Sequence, residues 1–324
     1  MYDDVTVTIN ANVGFIFGGG IILQMHLCSN QRLRALRSVT EIAQLLSPKD
    51  FNDLAKFIHT KDIIGFLFMV IHLPNCFTGN VYVVMQHLVA IYILITTLSI
   101  DMLYMNCVYI VKVGFRKINE SLEQFNKFST NDESNSDAPF AQKASRDKQR
   151  STLLLMKLRN IEENHLRISD VVDTLNKTFL VYNAGSAVMT FIVVTFNLYF
   201  YIIWRHGGYT VDPIKQFWYM QFLTSVFHYT LKFSMIIWAC ETAKNEALEV
   251  GTTIHDVLGD ATDTLVKHEL ELFSLQVLHR DNTFSARVVT MNTALLTQMV
   301  GGVVMYFLIL IQFVLSHISC KRRD

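Results

Sequence analysis

Gln312 is the side chain whose position most clearly implies chemistry, because it lies near the end of a long run without charged residues. Residues 288–319 contain no Asp, Glu, Lys or Arg. A helix needs about 20 mostly apolar residues to cross a bilayer. An amide in hydrocarbon costs free energy unless it finds water or a hydrogen-bond partner. We therefore expect Gln312 to face protein or an aqueous pore, not lipid.

Lys232 and Asp101 are charged residues in or beside other apolar stretches. A cation inside a membrane span is by default a functional hypothesis, and His228 lies one helical turn from Lys232. Lys232 also stands close to the inner end of its stretch, where its ammonium could extend to the water. Asp101 follows about 20 apolar residues and so falls near the membrane edge, where it is either part of an ion pathway or simply a boundary residue.

Residue patterns of enzymes and metal sites do not occur in the chain. His268-Glu269 lacks the second His of a zinc-protease motif, and Gly18-Gly19-Gly20 lacks the spacing of a dinucleotide-binding loop. The five cysteines are scattered, without the Cys and His spacing of a zinc site or a disulfide framework. We expect no catalytic activity, no metal and no cofactor.

The composition indicates a polytopic membrane protein. The 324 residues are 51% hydrophobic and 17% charged, whereas soluble domains carry about 25% charged residues. The formal net charge is zero, and no basic patch is interleaved with aromatic residues, which argues against nucleic acid as a partner.

Six apolar stretches predict six membrane spans and divide the chain into five regions. Residues 1–113 hold three spans and a cytosolic loop at 28–62, and residues 114–180 are a cytosolic extension. Residues 181–240 hold two spans, residues 241–290 form cytosolic anchor helices, and residues 291–319 are the last span. The predicted spans are 5–27, 63–80, 81–111, 181–204, 217–240 and 291–319.

The extension and the anchor contain segments of different character. Residues 129–150 are polar and rich in Ser, Asp and Asn, which predicts a disordered insert. Apolar residues then recur at helical spacing from Leu154 to Leu175, and again between Ile254 and Leu278. Asn176-Lys177-Thr178 matches a glycosylation sequon, but it falls in the extension, so we interpret the match as chance.

The placement of Lys and Arg predicts the orientation. Segments 31–61, 112–180 and 241–290 carry 6, 12 and 4 of these residues. Because such residues concentrate on the cytoplasmic side, the three large loops are expected inside and both chain ends outside. The terminal Lys321-Arg322-Arg323 stands against this orientation as a local exception.

The last span carries a resemblance to a known family. The residues Tyr306-Phe307-Leu308-Ile309-Leu310-Ile311-Gln312-Phe313 are similar to the C-terminal signature of the insect gustatory receptors, where Thr-Tyr precedes five hydrophobic residues and Gln-Phe. Met305 stands for the Thr. The run from Glu271 to Arg280, with Phe284-Ser285-Ala286 after it, also resembles the family's lead-in, although Arg287-Val288-Val289 stands where the family usually has Gly.

The resemblance implies an all-α, insect chemoreceptor-type seven-helix membrane fold, shared with the odorant receptors, and a ligand-gated, nonselective cation channel in the plasma membrane. It implies a homo- or hetero-tetramer whose last helices line a central pore and whose cytosolic helices hold the subunits together. Gln312 and Phe313 would form the gate, with Ile309 and Tyr306 lining or supporting the pore. Apolar Phe313 would close such a pore by excluding water.

A small-molecule tastant is the expected ligand, and aromatic and polar residues in the outer halves of the spans are the candidates to bind it. Aromatic walls with a few polar groups suit sugars, bitter compounds and other small organic molecules. Taken singly, each candidate is equally typical of a membrane-interface aromatic belt. These candidates are His72, Gln86, Tyr199, Trp218 and Gln221.

Only six spans with an outside N-terminus are visible, whereas the family has seven spans and an inside N-terminus. One further span before Met1 would repair both differences, so our hypothesis is that the family's first helix is missing here. A nonfunctional truncated family member is therefore one alternative. A secondary transporter is another, but it should show internal repeats and Gly- or Pro-interrupted helices, and none is visible.

Overall fold

Eight helices and one short antiparallel hairpin form the described part of the chain in the computed structural model, which describes residues 2–70, 81–131, 140–206, 213–286 and 289–321. The helices are α1 (Tyr2–Leu27), α2 (Ser29–Gln44), α3 (Pro48–Val70), α4 (Val81–Asn131), α5 (Phe140–His206), α6 (Pro213–Asp260), α7 (Thr264–His279) and α8 (Thr293–Lys321). Strands β1 (Ser285–Ala286) and β2 (Val289–Thr290) lie between α7 and α8.

Three helices are much longer than a membrane is thick. α4, α5 and α6 contain 51, 67 and 48 residues, and even 48 residues extend about 72 Å, against about 30 Å of hydrocarbon. Each helix is apolar in one section and strongly charged in the other. These helices therefore continue without a break from an apolar layer into a polar bundle.

The polar bundle consists of α2, α7, residues 112–131 of α4, 140–180 of α5 and 241–260 of α6. Its core contains large apolar side chains with no exposed surface. They include Phe115, Leu122, Leu158, Leu175, Ile254, Leu270 and Phe273. Each such side chain contributes roughly 1.5–3 kcal/mol by leaving water. The helical periodicity that begins at Leu154 thus marks the face of α5 that enters this core.

Polar contacts define the start of α7 and orient it against α5. Asp263 caps α7 by accepting from the backbone N–H of Leu265 at 2.9 Å, and such caps are typically worth about 1 kcal/mol. Further along, Arg159 pairs with Glu269 at 2.8 Å. The Arg159 side chain is largely exposed, so this ion pair orients α7 more than it stabilises it.

Helices lie within two polar segments of the sequence. α2 and the first half of α3 lie within the predicted cytosolic loop 28–62. α5 begins at Phe140, inside the segment 129–150 for which the composition predicts disorder. Residues 132–139 lie outside the described residues.

Among the described residues, three helical ranges each contain a section long and apolar enough to span a membrane: Leu88–Ser129, Lys148–Tyr201 and Thr293–Phe313. They lie in α4, α5 and α8. α1 contributes a shorter apolar stretch, Phe15–Gln24. The other three predicted spans remain predictions, and residues 71–80 of the second span lie outside the description.

A glycine allows α1 to approach α4 closely. A Cβ atom at Gly18 would lie 2.5 Å from Cγ2 of Ile93, whereas Gly19 and Gly20 have nothing within 4 Å. The Gly-rich stretch of α1 therefore serves helix packing at Gly18.

Candidate functional site

The first turns of α8 pack against neighbouring helices of the apolar layer, whereas the later turns are not covered by the described chain. Leu295, Leu296 and Met299 pack against a buried cluster that Ala187 of α5 forms with Phe233 and Ile237 of α6. Val303 is 9% exposed, and beyond it the described residues of α8 are partly or fully exposed. The helix therefore has a fixed base and a far end that the rest of the described chain does not cover.

Phe191 makes the main contact between α5 and the middle of α8. A Cβ atom at Gly302 would lie 3.0 Å from Cε2 of Phe191, and the ring of Tyr306 meets the Phe191 ring edge-on at 5.7 Å between centroids. Gly302 and Tyr306 are one turn apart, so the two residues form one seat for Phe191. A motion of α5 at this point would be transmitted directly to α8.

The predicted gate residues lie beyond this seat. Gln312 is exposed, and Phe313 and Ile309 are 71% and 36% exposed. Tyr306, predicted to line or support a pore, is 54% exposed on one side and contacts Phe191 on the other. Among the described residues of the chain, none encloses these four side chains.

The base of α8 is tied to the polar bundle through the hairpin. The Asn176 side chain of α5 donates to the carbonyl of Thr283 at 2.7 Å and accepts from the backbone N–H of Ser285 at 3.2 Å. Asn292 then caps α8 by accepting from the N–H of Leu295 at 3.0 Å. Sequence reasoning missed the role of Asn176, because the sequon match is its only local signal.

Phe284 and Met291 anchor the two ends of the hairpin. They are 2% and 3% exposed and belong to the same core as the polar bundle. Their backbones are joined by a hydrogen bond from the Met291 N–H to the Phe284 carbonyl at 2.9 Å. The path from α7 to α8 is thus a short, packed link.

A buried charge cluster joins three helices of the apolar layer. Nζ of Lys232 in α6 lies 2.6 Å from Oδ2 of Asp101 in α4, and Asp101 is fully buried. The hydroxyl of Tyr182 in α5 donates to Oδ1 of Asp101 at 2.6 Å and lies 2.9 Å from the carbonyl oxygen of Thr97. The carboxylate thus has a cation on one oxygen and a hydroxyl on the other, which is how a buried charge is tolerated.

This cluster changes the interpretation of both charged residues. The Lys232 side chain is 7% exposed and turns to Asp101 instead of extending to water. Asp101 is therefore an internal ion-pair partner, and its predicted place near the membrane edge stays a prediction. His228, one turn away, stacks on Phe68 at 5.5 Å between ring centroids.

A buried histidine lies in the polar bundle. His165 exposes none of its surface and stands between Phe115 and Phe273, whose ring centroids lie 5.8 and 5.5 Å away. Burial, together with the charge of Arg280, lowers the pKa of His165 from 6.5 to about 4. The imidazole is therefore neutral at physiological pH.

The structure describes only one of the predicted ligand-binding side chains. Tyr199 is half-buried on α5 and packs on Phe200 at 5.8 Å between ring centroids. His72 lies outside the described residues, as do the side chains of Gln86, Trp218 and Gln221. These ligand contacts stay predictions.

Comparison with known proteins shows which family this chain resembles. The family model described as "7tm Chemosensory receptor" matches residues 11–317. "Gustatory receptor 23a" of Drosophila melanogaster is 26% identical over 140 residues, which is 43% of this chain and 37% of that receptor's length.

Two solved structures of the olfactory receptor OR5 from Machilis hrabei share the fold. One matches with a TM-score of 0.67 at 13% identity and covers 95% of this chain and 81% of the receptor chain. The other, in complex with eugenol, matches with a TM-score of 0.57 at 14% identity and covers 88% and 70%. The predicted insect chemoreceptor-type fold is thereby confirmed.

Proposed function

The chain belongs to the 7tm chemosensory receptor family, and from this premise we propose that it is a gustatory receptor that opens as a nonselective cation channel when a small tastant binds. Members of this family form ligand-gated cation channels. The sugar or bitter character of the tastant, the tetrameric assembly and the plasma-membrane location are parts of the proposal.

The observation that carries the proposal is the uncovered far end of α8. Its stretch Thr293–Phe313 is the most apolar of the candidate spans among the described residues, and only 6% of the residues in its most apolar section are buried within the chain. At its end it carries an exposed amide, Gln312, beside exposed Phe313. An amide at this depth is costly beside lipid but favourable in a ring around water. Several copies of α8 around one axis would supply that ring.

Exposed leucines on α7 support assembly through the polar bundle. This bundle lies in water under the proposed orientation, where a group of uncovered large apolar side chains usually marks an interaction surface. The same helix is joined to α8 by the hairpin, so assembly there would also set the positions of the α8 helices. The leucines are Leu265, Leu272, Leu275 and Leu278, which are 60%, 46%, 61% and 83% exposed.

Gating requires the tastant to bind the open state more tightly than the closed state. A pocket in the outer halves of the spans would include Tyr199 on α5. The same helix carries Phe191, which occupies the seat formed by Gly302 and Tyr306. A tastant that shifts α5 by a small distance would therefore move the middle of α8 and change the opening at Phe313.

Whole-cell current in a heterologous cell that expresses this chain tests the proposal. We expect a panel of sugars and bitter compounds to include a ligand that evokes a cation current. Gln312→Ala and Phe313→Ala should change leak or permeation, because they alter the constriction itself. Val300→Ala is the matched control, since Val300 is 55% exposed and lies about 120° around the same helix from Gln312.

Surface-expressed protein that gives no current with any ligand, alone or with co-expressed family members, would contradict the channel proposal. Equal effects of Val300→Ala and Phe313→Ala would contradict the assignment of the gate.

A further inference from the structure

A cavity of about 250 Å³ lies between α3, α4 and α6 and is not used by the proposed gate. Its walls are almost entirely carbon and include Ile64 and Phe68 of α3, Leu98 of α4 and Leu231 of α6. The volume is below the roughly 300–1,000 Å³ of typical small-molecule pockets. The cavity is therefore suited to a slim apolar group, not to a compact polar tastant.

The cavity opens at the surface of the chain. Ile64 and Leu231 line it and are 62% and 43% exposed. Its α3 wall runs from Phe57 to Phe68, a rise of about 16 Å, close to half of the roughly 30 Å hydrocarbon thickness. An acyl chain of one leaflet therefore matches the length of the cavity.

Cations and aromatic rings gather at the polar end of this wall. Lys61 lines the cavity with a side chain that is only 6% exposed; its Nζ lies 2.5 Å from Oδ1 of Asp62 and 3.0 Å from the Met102 sulfur. Phe57 stacks on Tyr109 at 4.2 Å. Lys112 lies 5.4 Å from the centre of the same Tyr109 ring. Aromatic residues beside Lys are typical of the headgroup level of a membrane.

We propose that this cavity is a binding site for an anionic phospholipid of the cytoplasmic leaflet. Its phosphate lies near Lys61, and one acyl chain runs past Ile64, Leu98 and Leu231 toward Phe68. The assignment to this leaflet rests on the orientation in the proposed function. Anionic lipids concentrate in that leaflet, and each nearby Lys or Arg adds to their attraction.

The bound chain has a consequence for the buried charge cluster. The stem of Lys232 forms part of the cavity wall, and its Nζ pairs with Asp101 at 2.6 Å. An acyl chain against this stem keeps water away from the ion pair, so the lipid acts as a structural component of the apolar layer.

Photo-crosslinking tests the site without a channel measurement, so its result does not depend on whether the chain conducts. The full chain is placed in nanodiscs of mixed phosphatidylglycerol and phosphatidylcholine. A trace of either lipid carries a diazirine on the acyl chain, and labelled residues are mapped by mass spectrometry. We expect the phosphatidylglycerol probe to label the cavity walls about fivefold more than the phosphatidylcholine probe, the ratio that about 1 kcal/mol per lysine gives.

Three variants test whether the crosslinked lipid occupies the cavity. Leu231→Trp narrows the mouth and should lower labelling of the walls several-fold. Lys61→Gln should bring the ratio of the two probes toward one. Leu67→Trp is the matched control, because Leu67 is 58% exposed on α3 and does not line the cavity.

Labelling that spreads evenly over the exposed apolar faces and ignores Leu231→Trp would overturn the site. Equal labelling by the two probes in the unmodified chain would overturn the anionic headgroup. Each variant is first checked for an unchanged elution volume in gel filtration, and Leu98→Phe provides a second way to fill the cavity if Leu231→Trp fails to fold.

Discussion

The Asp101–Lys232 ion pair joins α4 and α6 through side chains that are both shielded from water. Two opposite charges taken out of water contribute little net stability as a pair, but either one left alone is costly. The pair therefore restricts how α4 and α6 pack, because any other arrangement would leave a buried charge unpaired. The hydrogen bond from Tyr182 restricts the position of α5 in the same way.

Lys232→Met tests this requirement. We expect the free energy of unfolding to fall by about 3–5 kcal/mol, because Asp101 is left as an unpaired buried charge. The double variant Asp101→Asn with Lys232→Met should lose much less than the sum of the single variants. Thermal unfolding of the detergent-solubilised protein measures the three variants, and strict additivity would contradict the pairing.

His165 predicts a pH dependence that belongs to the polar bundle. The folded pKa of about 4 lies below the ordinary 6.5, so between these values the unfolded chain binds a proton that the folded chain does not. Stability is therefore complete above pH 6.5 and falls as the pH drops toward 4, by up to about 3 kcal/mol at about 1.4 kcal/mol per pH unit.

The variant His165→Leu should remove this component of the acid sensitivity. Unfolding midpoints measured from pH 7 to pH 4 should diverge between the variant and the unmodified protein as the pH falls. Parallel curves over that range would show that His165 does not contribute.

Helix continuity is largely predictable from the sequence, whereas contacts between helices are not. The stretch 81–113 is too long for a bilayer and predicts a helix that projects from it, and α4 indeed continues to Asn131. Nothing local indicates that Asp101 meets Lys232, because the pairing depends on how two helices far apart in sequence cross. The polar composition of 129–150 predicts disorder and hides the start of α5 at Phe140.

The hairpin between α7 and α8 is the element whose role can be tested separately. Asn176→Ala removes both side-chain hydrogen bonds to the hairpin, and we expect faster amide hydrogen exchange in residues 283–286 and 289–291. Loss of two such bonds corresponds to about 1–3 kcal/mol. Lys177→Ala is the matched control, because Lys177 pairs with Asp173 on the surface and is 75% exposed. Unchanged exchange in the Asn176 variant would contradict the link.

At the scale of the whole molecule, the described residues of one chain do not enclose a pore. α8 is fixed at its base by Leu295, Leu296 and Met299, touches Phe191 in its middle and is uncovered at its far end. The signature Gln-Phe near the end of an apolar run is the feature of this site that the sequence predicts. The seat for Phe191 and the link through Asn176 depend on tertiary contacts, so the sequence could not reveal them.

Cysteine accessibility at position 312 tests the central claim most directly. In a heterologous cell with a ligand-evoked current, a charged, membrane-impermeant thiol reagent is applied to Gln312→Cys, to Val300→Cys on another face of α8 and to the unmodified chain, which controls for its own five cysteines. If α8 lines the pore, the reagent blocks the current of Gln312→Cys and spares the other two. Current through Gln312→Cys that is unaffected by the reagent, with modification of the introduced thiol verified by mass spectrometry, would contradict the account.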